Sequence, residues 1–400
     1  MPSTSMHSTS SPGGPEAPGL DATVMLDARS THGSTSGIGR YVQQLVRRLL
    51  DVDPTVRFRL VVHPSDRDGF DHPRIETTGF RASPNSLIDT LTLRWALDFS
   101  GVDLFHAPAN LLPAGRMPVP TLLTVHDIMW LKGPGYWTDI WWREWITGTY
   151  YRSVLPGSIE AADRIATVSE TIRSEVIGAF PDKEGHVDVT PNGVDPLFEP
   201  IDDAVAWRHL NGIIDPQTRF VLTVGRGSPY KNHPGAVDSF LRAYGDDPDV
   251  HMVLVRTRVR GREPRLDALL SHPDAADRIH VLHRVDGDEL LALYNAAETF
   301  LFPSFYEGFG LPIVEAMACE TPVVTSATGA PAEVAGSAAL TADPHRPDAL
   351  ARHLERLDRT DGDSELRDSL IDAGRRRAAS YDWSRCARKT LAAYRQIVET

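Results

Sequence analysis

Short apolar runs recur along this chain, each bounded by turn residues and separated from the next by segments of helical spacing. In the first half they are Thr23–Ala28, Phe58–His63, Leu104–Ala107, Thr121–His126 and Arg164–Ser169. In the second half they are Phe220–Val224, His251–Val255, Ile279–Leu282, Thr299–Phe302, Pro322–Thr325 and Ala338–Thr341. Continuous rather than alternating apolar runs predict parallel strands buried on both faces. Their alternation with helical patterns predicts right-handed βαβ units and a doubly wound sheet. Two such series predict two Rossmann-like domains, with the break in the Pro-, Gly- and Asp-rich passage Pro191–Pro216.

In sheets of this kind, ligands bind beyond the carboxyl ends of the strands. Polar residues that directly follow a predicted strand are therefore the candidates for chemistry. Gly37 and Gly39 follow the first run after a loop. His126 and Asp127 end the run from Thr121; Gly225, Arg226 and Lys231 follow Phe220–Val224; Glu307 follows Thr299–Phe302.

Composition narrows the function classes. Four hundred residues fit two domains of ordinary size. Lys+Arg 41 against Asp+Glu 54 leaves a net charge of −13, which argues against a nucleic-acid partner. No run approaches the ~20 apolar residues of a membrane helix. The two cysteines, Cys319 and Cys386, exclude a disulfide scaffold, and Cys319 reads as core rather than nucleophile. Residues 1–20 are mostly Ser, Pro, Gly and Thr without a secretory apolar stretch, and read as a disordered tail on a cytoplasmic protein.

The densest chemistry lies in Phe305–Thr325. Glu307 and Glu315 stand eight residues apart, with Gly308, Gly310 and Pro312 between them. Pro favours the first turn of a helix, so Glu307–Leu311 reads as a tight loop and Pro312–Cys319 as a helix carrying Glu315. The free N–H groups of such a helix suit a phosphate, and glycines let backbone approach a ligand. In Gly225–His233, Arg226 and Lys231 place two cations beside glycines, an arrangement suited to a diphosphate. Gly37-Ile38-Gly39-Arg40 opens the helical pattern Tyr41–Leu50. It fails as a dinucleotide fingerprint because Val42 stands where the third glycine belongs. Asp286-x-Asp288 has metal-motif spacing but precedes a helix start, where Asp caps well, and reads as a cap. No metal site is expected.

The Glu307–Glu315 stretch resembles the Glu-x7-Glu signature of retaining glycosyltransferases of family 4, of bacterial type, over roughly Ala22–Glu399. That family has the GT-B fold, in which two Rossmann-like doubly wound domains face a central cleft. The resemblance implies an acceptor-side domain over 21–195, a nucleotide-sugar domain over 196–380 and a last helix, 381–400, crossing back. It further implies that Glu307 lies against the donor sugar and that Gly308, Phe309, Gly310 and Leu311 touch sugar and phosphate. Glu315 would hold the ribose, Arg226 and Lys231 would clamp the diphosphate, and Gly37 and Gly39 would face it across the cleft. His126 would sit beside the donor sugar, and Val285 near the base.

The expected reaction moves a sugar from GDP-mannose or a UDP-sugar to an acceptor hydroxyl, with no cofactor. Five of eight tryptophans crowd into 130–145. Trp130 and Trp137, with Asp127, are the acceptor candidates, and peripheral membrane contact is not favoured. His106 is expected in the cleft wall. The rival readings are a GT-B nucleotide-sugar epimerase and a non-catalytic nucleotide-sugar-binding protein. Glu320 stands where many relatives carry Gly, and Arg256-Thr257-Arg258 stands where a Gly-rich turn is common.

Overall fold

A computed structural model of the chain describes residues 19–33, 37–133, 141–216, 218–257, 263–275 and 277–399. The first half forms a sheet of β1 (Thr23–Asp27), β2 (Arg57–Val62), β3 (Ile75–Gly79), β4 (Leu104–Ala107), β5 (Thr121–Val125), β6 (Arg164–Thr167) and β7 (Val187–Val189). Their spatial order is 3-2-1-4-5-6-7. The second half forms β8 (Arg219–Arg226), β9 (Val250–Thr257), β10 (Ile279–Leu282), β11 (Thr299–Phe302), β12 (Val323–Ser326) and β13 (Leu340–Ala342), in order 10-9-8-11-12-13. The strand pairs are parallel. Each sheet therefore has a switch point, between β1 and β4 and between β8 and β11, where a crevice opens at the strands' carboxyl ends.

Two strands escape the apolar-run reading. β3, Ile-Glu-Thr-Thr-Gly, is only partly buried and lies at the sheet edge, while β7 is a three-residue edge strand with Asp188 at its centre. Edge strands need no continuous apolar run, because one side carries no partner.

The last helix, Trp383–Val398, shares a core with the first sheet. Trp383, Leu391 and Tyr394 are buried with Val24, Tyr41 and Leu45. Lys389 Nζ donates to the Val189 carbonyl at 2.9 Å. His106, expected in the cleft wall, is instead fully buried in this core. Its ring nitrogens bond the Tyr394 hydroxyl at 2.7 Å and Thr124 Oγ1 at 2.8 Å, so it ties the last helix to β4 and β5. Burial pushes its imidazole down to about 3, keeping it neutral. Leu20 is buried, and its N–H donates to Asp53 Oδ2 at 2.7 Å. Among the described residues, no helix is long and apolar enough to cross a membrane.

Candidate active site

The segments that follow β11 and β5 meet across the two halves. After β11 the chain runs through Tyr306, Glu307 and Gly308 to Gly310, which caps the helix Leu311–Ala318 at a φ of 102°. Pro312 takes the second helical position, one residue later than Pro at the first, and Glu315 comes at the fifth. Glu315 is buried. Burial raises its carboxyl, while Arg40 pulls it back, and the net shift is upward.

Both Glu315 oxygens are engaged. Arg40 Nη1 donates to Oε1 at 2.7 Å from the opposite half of the molecule, and the Tyr294 hydroxyl donates to Oε2 at 3.0 Å. Arg40 projects from the first turn of the helix Gly37–Val52, so Gly37 and Gly39 lie within that helix rather than before it. Arg40 also packs over the Phe198 ring, 5.8 Å from its centroid. Nothing in the local sequence around Arg40 assigns it a role. Its partner is 275 residues away, and no local pattern reports such a pairing.

Glu307 makes the second ion pair. Lys231 Nζ donates to its Oε1 at 2.7 Å, with both side chains largely buried. Burial lowers the Lys231 ammonium, but the charge and hydrogen bond of Glu307, with Tyr230 and Glu315, together outweigh it and the shift is upward. Lys231 ends a 3-10 turn after β8, and Asn232 follows at a φ of 54°, its side chain capping the next helix. Arg226 ends β8 with an exposed side chain, and its carbonyl accepts from His233 Nε2 at 2.9 Å.

The two halves also meet at Gly308. A Cβ on this residue would lie 1.8 Å from the His126 carbonyl oxygen, an impossible contact, so only glycine fits. Ser169 Oγ donates to the Gly308 carbonyl at 2.7 Å. Next to it, the Tyr306 hydroxyl accepts from the Ile128 N–H at 3.2 Å and donates to Glu175 at 2.8 Å. Lys132 completes this bridge with Glu175 at 2.6 Å.

His126 sits at the end of β5. Its Nε2–H donates to the Pro108 carbonyl at 2.8 Å, and its backbone N–H donates to Asn110 Oδ1 at 2.6 Å. Its ring stands edge-on to Tyr41, with centroids 4.8 Å apart. Burial pushes the imidazole down to about 4, so it is neutral at physiological pH. Asp127 is pushed up to about 6, first by burial and further by the charges of Glu307 and Glu175. Its Oδ1 accepts from the Met129 N–H at 3.2 Å.

Several expectations shift here. Trp130 is buried and stacks flat on Tyr151, with centroids 4.9 Å apart, so that ring face is packed rather than open to a sugar. Trp137 lies outside the described residues. Phe309 is buried edge-on to Tyr381, at 5.1 Å, so its side chain serves packing. Leu311 is half-buried at the helix start, and Val285 is half-buried just before Asp286. The Asp286 side chain accepts from the Glu289 N–H, and Glu289 returns the bond to the Asp286 N–H, both at 2.8 Å. This capping box agrees with the cap reading of Asp286.

Comparison with known proteins extends this geometry. Residues 35–197 match the model described as Glycosyltransferase Family 4, and residues 211–377 match Glycosyl transferases group 1. The O-antigen chain mannosyltransferase B of Escherichia coli is 30% identical over 384 residues, which span 90% of this chain and 96% of that protein. The chain belongs to glycosyltransferase family 4.

A second relative of this glycosyltransferase, the MMP alpha-(1->4)-mannosyltransferase of Mycolicibacterium hassiacum, is 31% identical over 72% of this chain and 68% of that protein. Among solved structures, sucrose-phosphate synthase of Thermosynechococcus elongatus superposes with a TM-score of 0.71 at 22% identity, covering 94% of this chain and 99% of that one. Anabaena HepE in complex with UDP and glucose gives 0.70 at 17%, covering 94% and 100%. These likenesses establish the GT-B fold. The chain is a glycosyltransferase, and the epimerase reading falls away.

Proposed function

We propose that this glycosyltransferase moves a mannosyl group from GDP-mannose to a hydroxyl of an acceptor, with retention at the anomeric carbon and without a metal ion. The observation that carries the reading is the pair of ion pairs, Lys231–Glu307 and Arg40–Glu315, each 2.7 Å long and flanking the glycine loop and the start of the helix Leu311–Ala318. Cations, carboxylates and a helix N-terminus then lie within one stretch, which suits a molecule built as sugar, diphosphate and ribose. The choice of mannose rests on the two mannosyltransferase relatives.

In this reading Glu307 faces the sugar and Glu315 the ribose, with Gly308 to Leu311 against the sugar and phosphates and Val285 near the base. Arg226 and Lys231 stabilise the departing diphosphate together with the helix terminus, an electrostatic role otherwise open to a metal. Gly37 and Gly39 bring the first turn of the opposite helix toward the same phosphates. The glycosidic C–O bond breaks, the departing phosphate oxygen takes the acceptor proton, and the acceptor oxygen bonds the same face of the anomeric carbon. Neutral His126 lines the sugar, and Asp127 orients the acceptor hydroxyl.

The test is a thermal-shift and turnover screen over GDP-mannose, UDP-glucose, UDP-N-acetylglucosamine and dTDP-glucose, run with and without EDTA. GDP-mannose should raise the melting point and support transfer in chelator. Preference for another donor overturns the sugar assignment. Activity lost in EDTA and restored by Mg²⁺ overturns the metal-free chemistry.

A further inference from the structure

The fold brings together three side chains with no evident pattern in the sequence. His32 follows the short turn after β1, His63 directly follows β2, and Asp66 lies three residues later in a 3-10 turn. Because β1 and β2 pair in parallel, all three fall at the same carboxyl edge of the first sheet. The imidazoles of His32 and His63 stack with centroids 3.8 Å apart and planes inclined by 21°. His32 Nδ1 lies 2.7 Å from Asp66 Oδ2, and one ligand-type atom from each of the three residues falls within 4.8 Å of the others. Ser65 Oγ adds a fourth polar atom, 2.7 Å from His63 Nδ1 and 3.4 Å from His32 Nδ1. Among the described residues, this is the one group of three or more His, Cys, Asp or Glu side chains so arranged.

We propose that His32, His63 and Asp66 bind a divalent transition-metal ion of the zinc class, with water completing the coordination. Two imidazoles and one carboxylate form a donor set that suits Zn²⁺ and disfavours Mg²⁺ or Ca²⁺, which take oxygen ligands. At Zn–N and Zn–O distances of about 2.0–2.2 Å, tetrahedral ligand atoms stand about 3.3 Å apart. His32 and Asp66 must therefore open by roughly half an ångström, and the more distant atoms must close by about an ångström or more. Rotation of side chains that remain partly exposed supplies such movement. Binding replaces the hydrogen bond between His32 and Asp66 and ties the turn after β1 onto the end of β2. The inference does not rest on the donor assignment, since none of the three residues belongs to the proposed transfer chemistry.

The experiment uses the tag-free full-length protein. Zn²⁺ titrated by calorimetry, in competition with a chelator of known affinity, should bind at one ion per chain. His32→Ala, His63→Ala and Asp66→Asn should each weaken that binding at least tenfold. The double variant His251→Ala/His280→Ala, which removes the other stacked histidine pair, should leave it unchanged. Far-UV circular dichroism without metal confirms that the variants fold. Should one not fold, Co²⁺ added to the wild type decides: an intense visible band of four-coordinate Co²⁺ supports the site, and an unchanged or weak octahedral spectrum overturns it. Zn²⁺ binding of equal strength in the wild type and the three variants, or no binding at all, also overturns it.

Discussion

Arg40 and Glu315 close the molecule on itself: the guanidinium of one half donates at 2.7 Å to the buried carboxylate of the other. In the functional reading above, Glu315 holds the donor ribose, so the incoming nucleotide must take the place of Arg40.

Arg40→Ala leaves Glu315 with Tyr294 alone. The full loss for breaking a buried pair is about 3–5 kcal/mol. Because the Arg40 side chain is 30% exposed, the expected cost is smaller, about 1–3 kcal/mol, read as a melting point several degrees lower. The sign of its pH dependence follows from the upward shift of Glu315. A carboxyl raised in the folded state binds protons that the unfolded chain does not, so ionising it costs stability as pH rises. The gap between wild type and variant should be widest near neutral pH and narrow as Glu315 protonates. A constant gap across an acid-to-neutral melting series refutes the account.

Gly308→Ala places a methyl 1.8 Å from the His126 carbonyl oxygen. Backbone faces backbone there, so the two halves must separate locally. The separate cores should still fold, while transfer falls on the order of a hundredfold, the usual consequence of an ångström-scale misplacement of reacting groups. Circular dichroism and steady-state rates check this together; near-normal turnover in a folded variant counts against the close approach.

Asp127, pushed up to about 6, ionises across the physiological range, whereas His126, pushed down to about 4, does not. If ionised Asp127 orients the acceptor, kcat/KM should fall as pH drops through 6. Asp127→Asn should remove that limb and lower the plateau. An acid limb near 6 that persists in Asp127→Asn assigns it to another group.

Glu315→Gln should mainly raise the donor KM, because ribose contacts act alike in ground and transition states. Glu307→Gln should mainly lower kcat, since charge develops at the sugar, and it also removes the negative charge that Lys231 pairs with at 2.7 Å. Kinetics with a fixed acceptor separate the two, and identical profiles reject the division of roles.

Glu320 follows the helix Leu311–Ala318 at a φ of 60°, where a side chain is strained. Its pair with Arg375, at 3.4 Å, is exposed and contributes little. Glu320→Gly should therefore stabilise the protein by about 0.5–1 kcal/mol in chemical denaturation, relief of strain outweighing the added freedom of the unfolded chain. A lower denaturation midpoint contradicts this.

The strand runs, the helix start at Pro312 and the order of Gly37, His126, Lys231 and Glu307 along the chain were legible in sequence, because each depends on a few neighbouring residues. Period, turn chemistry and capping are local properties, and the Asp286–Glu289 capping box shows how far they carry. Tertiary structure alone decided which groups meet. Arg40 reaches Glu315 across 275 positions, Lys231 reaches Glu307 across 76, and His106 turns inward to Tyr394 across 288. No periodicity records such distances, since a side chain's partner depends on how whole sheets pack. The same holds for Gly308: its sequence context offered a ligand-binding glycine, and only the facing His126 carbonyl showed that the backbone of the other half already occupies the space of its missing side chain.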